Sequence, residues 1–353
     1  MWITFSHLFL FTLLISFLFD IIKKEKIMDK FISVIKKSKK IAIITHINPD
    51  GDAWGSSLMI HEFLDKNFPK IEKHIFTEYK TLSPEFQLML KGVSVNPDKN
   101  EFDTVIVVDC GDENRFTKYH DIFSKAKNTI CFDHHLNNTN FCKLNYNNIL
   151  PSNCENLYNY LTTTEYELTI KFFQFCYVGM LTDTNAFTTP SVSAETFKIA
   201  SEIKAKGVDT NLIYKMFYQG FEKNKYMLLG RSITKAEFWF NNKVVFINLT
   251  EKDFKDCNVA EDDTTGIINQ AFAMIKGAFA CFLVTPRNAT KHISMRSIEG
   301  IDVSKIACFL GGGGHACASA TDSALNLTEL KTFLKKEIKK QIDSYTPKEN
   351  KLF

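Results

Sequence analysis

Three short apolar runs, Ile41-Ala42-Ile43-Ile44, Thr104-Val105-Ile106-Val107-Val108 and Thr129-Ile130-Cys131-Phe132, run into acid- and imidazole-rich clusters. The clusters are His46-Ile47-Asn48-Pro49-Asp50-Gly51-Asp52, Asp109-Cys110 and Asp133-His134-His135. The runs are rich in β-branched residues and do not alternate with polar ones, which fits strands covered on both faces. In a parallel sheet the carboxyl ends of neighbouring strands share one edge, so side chains distant in sequence converge there. An Asp or His buried at such an edge needs a partner or an ion, because an isolated charge removed from water costs several kcal/mol. The pattern therefore implies an α/β fold with a mainly parallel sheet, and metal coordination meets the need of the clustered side chains.

With 353 residues the chain is long enough for two domains, each burying its own core. A composition of 45% hydrophobic and 24% charged residues is globular, and a formal net charge of +3 is too small for a protein that tracks many phosphates of duplex DNA. The nine cysteines include no Cys-x-x-Cys pair, and several lie within apolar runs, which points to reduced thiols in an intracellular protein.

Residues 2–22 form an apolar stretch interrupted by little more than His7, a few hydroxyls and Asp20, and Lys23-Lys24-Glu25-Lys26 follows. Its length suits a membrane span whose basic flank keeps the remainder on the cytoplasmic side, and it lacks the small-residue site of a cleaved signal. The other reading is an early start codon, with translation beginning at Met28. Both readings stand open, giving a cytoplasmic protein with or without a tether.

Residues 31–40 carry a helical apolar pattern, and 53–67 read as a helix with Leu58, Ile60, Phe63 and Leu64 toward the core. Strand, loop and helix alternate to about Lys206, as in a doubly wound domain. After Gly207 the character changes. Residues 208–229 look helical, 235–250 read as a hairpin turning at Asn241-Asn242, and 280–284 and 292–296 are further strands. The expected organisation is an extension over 1–27, an α/β domain over 28–206, a helical linker over 207–234, a smaller α/β domain over 235–345 and a tail over 346–353. The lysine-rich stretch 331–340 reads as the solvated face of a helix.

His46, Asp50 and Asp52 lie at i, i+4 and i+6 on a segment that Pro49 and Gly51 are expected to keep out of helical geometry. The same residues would also suit a plain turn capped by carboxylates. Asp109 and Asp183, the latter in Thr182-Asp183-Thr184, could each be a simple helix cap. Adjacent histidines after a buried strand are harder to justify as core packing. The joint order of the segments carries the metal reading.

That order, with Gly311-Gly312-Gly313-Gly314-His315 near the C-terminus, resembles the DHH phosphoesterase family carrying a DHHA1 domain, in the nano-RNase and pAp phosphatase group. The resemblance covers the chain from about Met28 onward. It implies an active site in the cleft between the two domains and two divalent ions, expected to be Mn²⁺. His46 and Asp50 would bind one, Asp52, His134 and Asp183 the other, and Asp109 would bridge both. Together the ions would acidify a water and clamp the phosphate. His135 would face the scissile phosphate as a catalytic residue beside Asp109, with Asp133 orienting an imidazole from behind. Arg296, Arg287, Gly312, Gly313, Gly314 and His315 would hold substrate, the glycine run offering four backbone amides to an anion.

The implied substrates are short RNA or DNA oligonucleotides cut to nucleoside 5′-monophosphates, or pAp losing its 3′-phosphate, with no duplex DNA. A membrane is a partner only if residues 2–22 are real, and the assembly is open between monomer and homodimer. Linear dinucleotides such as pApA and pGpG are the alternative substrates, and a non-catalytic nucleotide sensor is the alternative of another class. Two departures from the family pattern are Asn185 and Ala320, where relatives commonly have Gly.

Overall fold

The structure, a computed structural model, describes residues 28–79, 82–219, 222–260, 263–264 and 266–346. The apolar stretch 2–22 lies outside them, and among the described residues no helix is long and apolar enough to cross a membrane. The chain divides into two compact units, one ending at Gln219 and the next starting at Gly220.

In the first unit a helix over 28–37 (α1) leads to β1 (Lys40–Ile44), α2 (Gly51–Asn67), β2 (Glu72–Phe76), α3 (Pro84–Met89) and β3 (Thr104–Val108). A 3₁₀ segment (Glu113–Tyr119), α4 (His120–Lys125), β4 (Asn128–Asp133) and β5 (Leu144–Asn147) follow, then α5 (Asn153–Leu161), α6 (Ile170–Asp183), α7 (Ala194–Ala205) and α8 (Thr210–Tyr218). The strand order is β2-β1-β3-β4-β5, and every neighbouring pair is parallel. Ile41 and Ile43 join a core with Phe31, Leu58, Phe63 and Phe172, whereas Ala42 and Ile44 face a second core with Phe102, Phe116 and Ile122. Cover on both faces explains the missing alternation. All five residues of β3 are buried, and each large side chain among them contributes about 1.5–3 kcal/mol.

From β1 the chain runs to β2 on one side, then crosses back to β3 on the other. This reversal opens a crevice at the carboxyl ends of β1 and β3, the usual place for ligands in open α/β sheets.

One local expectation is corrected here. Helix α2 begins at Gly51, not Ala53, so Gly51 and Asp52 lie in its first turn. The Asp50 carboxylate accepts from the amides of Asp52 and Ala53, both at 3.0 Å, and this capping lets the helix start early. At Gly51 a Cβ would lie 2.3 Å from Thr182 Oγ1, so close packing on α6 requires the glycine.

The second unit contains α9 (Lys223–Thr234), β6 (Glu237–Trp239), β7 (Val244–Asn248), α10 (Glu251–Cys257), α11 (Ile267–Ala273) and β8 (Ala280–Arg287). It continues through β9 (Thr290–Ser297), α12 (Val303–Phe309), β10 (Gly313–His315), β11 (Ala318–Ser323) and α13 (Leu327–Ser344). Its sheet runs β10-β11-β9-β8-β7-β6, with only β7 and β8 parallel among neighbours. The β6–β7 turn uses left-handed Phe240, Asn241 and Asn242, a conformation asparagine tolerates well. In α13, Leu330, Leu334, Ile338 and Ile342 are buried at four-residue spacing.

Candidate metal centre

The centre forms where three adjacent strands end. His46 follows β1 by two residues, and its Nδ1 lies 2.9 Å from the Ile47 carbonyl. A carbonyl only accepts, so Nδ1 carries the proton and Nε2 turns toward Asp109 Oδ2, 3.6 Å away. Asp109 follows β3 directly with φ of 52°, a left-handed turn that Asp adopts more readily than most residues. His134 follows β4, and its Nδ1 lies 2.8 Å from the Leu150 carbonyl. Its Nε2 is 3.3 Å from Asp109 Oδ1, 3.5 Å from Asp183 Oδ2 and 3.8 Å from Asp52 Oδ2.

The helices supply the rest. Asp183 is the last residue of α6, and Asp52 lies in the first turn of α2. Asp52 is fully buried; Oδ2 accepts from the Asn153 amide at 2.6 Å and Oδ1 from the Cys154 amide at 2.9 Å. Donor atoms of His46, Asp50 and Asp109 fall within 4.8 Å of one another, and so do those of Asp52, His134 and Asp183. Asp109 turns one oxygen toward each group.

Crowding carboxylates out of water shifts their protonation. Burial, reinforced by the Asp109 charge, pushes the Asp52 carboxyl up to about 7, and burial likewise raises Asp183 well above the ordinary carboxylate range. For Asp109, burial acts in the same upward sense, but hydrogen bonds and charge from His134 and His46 prevail and hold it well below that range. Burial disfavours charge on both imidazoles, yet the facing carboxylates outweigh it and raise them. Protons thus balance the excess negative charge, a role divalent cations would take over.

The donors fit such cations. Asp109 Oδ1 is buried, and its approach to His134 Nε2 at 3.3 Å lacks good hydrogen-bond geometry, so a carboxylate oxygen held this loosely gains from an ion that meets it. The set is carboxylate and imidazole, which suits hard or borderline divalent metals. Cys110 does not enter it, its thiol donating to the Asp112 carbonyl at 3.2 Å.

His135 is partly exposed. Its Nδ1 lies 2.7 Å from Asp133 Oδ1, and Asn138 Nδ2 donates to Asp133 Oδ2 at 2.6 Å. The buried Asp133 therefore aims the His135 ring, and Asn138 aims Asp133 in turn. Sequence reading missed Asn138, for which its place three residues after His135 was the available signal. It also missed Leu150, Asn153 and Cys154, whose contacts to His134 and to the Asp52 carboxylate run through backbone atoms and leave no such trace.

In the second unit the expected substrate residues do not form one group. Arg296 on β9 pairs across with Cys281 of β8, while Arg287 pairs with Thr290 at the opposite end of the same hairpin. Six residues separate these positions along β8, a distance of about 20 Å. Arg287 Nη1 donates to Asp322 Oδ1 at 3.0 Å and lies 2.9 Å from His292 Nδ1. Arg296 donates to Asn269 Oδ1 through Nε at 2.7 Å. Through β11, Ala318 pairs with both Arg296 and His315, which puts these two at the same end of the sheet.

The glycine run is not the expected cradle of four amides. Those of Gly311 and Gly312 donate to Cys308 and Ala307 at 3.0 and 2.9 Å, closing α12, and Gly313 and Gly314 enter β10. A Cβ at Gly312 would lie 2.3 Å from the Ala320 carbonyl, so packing against β11 explains that glycine. Asn185 has φ of 47°, and the left-handed turn it occupies accounts for glycine in the family pattern there.

Fold and site together define an α/β protein with a carboxylate–imidazole centre at the switch point of a parallel sheet. Residues 40–180 match the family model described as DHH family, N-terminal domain. The chain is 25% identical to the probable bifunctional oligoribonuclease and PAP phosphatase NrnA of Streptococcus mutans, covering 84% of this chain and 94% of that protein. It is 26% identical to the bifunctional oligoribonuclease and PAP phosphatase NrnA of Thermus thermophilus, covering 82% and 86%. In three dimensions it resembles an exopolyphosphatase-related protein from Bacteroides fragilis with a TM-score of 0.81 at 24% identity, covering 90% of this chain and 96% of that one.

Proposed function

We propose that this protein is a divalent-metal-dependent phosphoesterase that hydrolyses short oligonucleotides to nucleoside 5′-monophosphates and removes the 3′-phosphate of pAp. The observation that carries the reading is Asp109, whose Oδ1 faces the Asp52–His134–Asp183 group while Oδ2 faces His46. A carboxylate shared in this way suits two cations, with Mn²⁺ matching the donors. His46 and Asp50 would hold one and Asp52, His134 and Asp183 the other. Bound there, the pair supplies Lewis acidity toward water and the phosphate oxygens.

The two reactions make the same demand. In each, a water oxygen bonds to phosphorus, the bond from phosphorus to a nucleoside 3′-oxygen breaks, and that oxygen takes up a proton. His135, whose ring is oriented by Asp133 through Nδ1, is the residue proposed to make this transfer. In the second unit Arg296 and His315 are the residues proposed to grip the nucleotide's other phosphate. A net charge of +3 gives little purchase on long strands, which favours very short ones. The names of the Streptococcus and Thermus relatives support both substrates.

The test uses purified protein with Mn²⁺, offered pAp and a short RNA. Release of 5′-AMP and of nucleoside 5′-monophosphates is expected, and Asp109→Ala abolishes both. Undiminished turnover in that variant would refute the shared-carboxylate reading.

A further inference from the structure

The segment 150–154 reaches the metal centre mainly through backbone groups, with the Cys154 thiol adding a contact to the Asp52 carbonyl at 3.7 Å. The Leu150 carbonyl lies 2.8 Å from His134 Nδ1, leaving Nε2 to point at the carboxylates. Two residues beyond, Ser152 caps α5 with extended backbone, φ −155° and ψ 157°, its hydroxyl accepting from the Glu155 amide. The next two amides, of Asn153 and Cys154, donate to the two oxygens of Asp52. Asp52 is fully buried, and Gly179 makes room for it, since a Cβ there would lie 2.5 Å from Asp52 Oδ1. Two residues beyond Cys154 along α5, the Asn156 side chain donates to the Asp133 carbonyl at the β4 end, at 3.1 Å.

From this geometry we infer that residues 150–154 are a positioning element for one metal group, orienting His134 by a carbonyl and Asp52 by two amides at the start of α5. The inference rests on the metal reading proposed above. Its physical basis is that partners behind a ligand set its orientation and charge, and losing them typically weakens metal affinity about 10–100-fold. Amides at a helix start favour the ionised carboxylate, the form that binds a cation. Both oxygens stay aligned because each has its own donor.

Proline at 153 tests this cleanly. Asn153 is the first residue of α5, where proline is tolerated, and Ser152 already has the extended backbone that a residue before proline adopts. Asn153→Pro removes the amide to Asp52, and Asn153→Ala loses the same side chain but retains the amide. Mn²⁺ binding to each protein is counted by the electron paramagnetic resonance of free Mn²⁺. The proline variant is expected to bind one ion at least about tenfold more weakly than the alanine variant. Equal affinity in the two would overturn the positioning role, whereas wild-type protein that takes up no Mn²⁺ would instead remove the metal reading.

Should the proline variant not fold, hydrogen exchange decides. The Asn153 and Cys154 amides are expected to exchange at least tenfold faster in Asp52→Ala than in wild type. Matching rates would show that Asp52 is not their partner.

Discussion

Gly179 lies inside α6, where replacement of glycine by alanine ordinarily stabilises a helix by about 1 kcal/mol. The packing around it reverses that expectation. A Cβ at this position would be 2.2 Å from Cys154 Sγ and 2.5 Å from Asp52 Oδ1. Neither atom can swing aside, because both residues are fully buried and Asp52 is held by the amides of Asn153 and Cys154. Overpacking of this kind costs about 1–3 kcal/mol, and a displaced buried carboxylate forfeits charge-assisted hydrogen bonds worth about 1.5–3 kcal/mol.

Set against the helix gain, Gly179→Ala is expected to destabilise the protein by about 1.5–5 kcal/mol. Gly230→Ala is the control. That glycine lies in α9 with open space around it, so alanine should stabilise by about 1 kcal/mol. Urea unfolding of the metal-free variants measures both. If Gly179→Ala proved neutral or stabilising, the close approach of α6 to Asp52 would be refuted.

Metal binding should depend on pH. A carboxyl raised to about 7 keeps its proton below that pH, so a cation must displace it, and affinity should fall about tenfold per pH unit per proton released as pH drops from 7. The same raised value makes Asp52 cost the metal-free protein stability as pH rises from its ordinary value of 3.8 toward 7, so added Mn²⁺ should raise the Tm more at pH 8 than at pH 6. A Tm increment independent of pH would contradict this. Asn185, Ala186 and Phe187 follow one another in the left-handed region, with φ of 47°, 58° and 61°. Ala186→Gly should therefore stabilise by about 0.5 kcal/mol or more in thermal unfolding, because relief of the left-handed strain exceeds the added chain entropy; a lower Tm would contradict it. Arg296→Ala should raise KM for pAp at least about tenfold, whereas Arg287→Ala, whose guanidinium is engaged by Asp322, should change it less than about twofold. Equal effects on KM would show that the two arginines are not functionally distinct.

Much of this protein could be read from residue order. The buried runs of β1, β3 and β4 announce a parallel sheet because side chains covered on both faces need no polar alternation. His46, Asp109 and His134 declare themselves as candidates because polar residues directly after such runs must share the sheet's edge. The Asn241-Asn242 turn was legible for a similarly local reason, since few residues accept left-handed backbone.

Other features were decided only when the chain came together. Asp50 and Asp52 looked like loop residues, but capping drew them into the start of a helix, and only packing showed Asp52 sealed beneath α5. The glycines at 311–314 suggested four open amides, yet the closing turn of α12 claims the first two and the last two enter the edge strand β10. Arg287 was expected to add a phosphate contact to that of Arg296, but the β8–β9 hairpin places them at opposite ends. The physical reason is common to these cases. Side-chain type and local period are written in the sequence, whereas every residue carries the same amide and carbonyl, and which of these meets a partner is settled by tertiary contact alone.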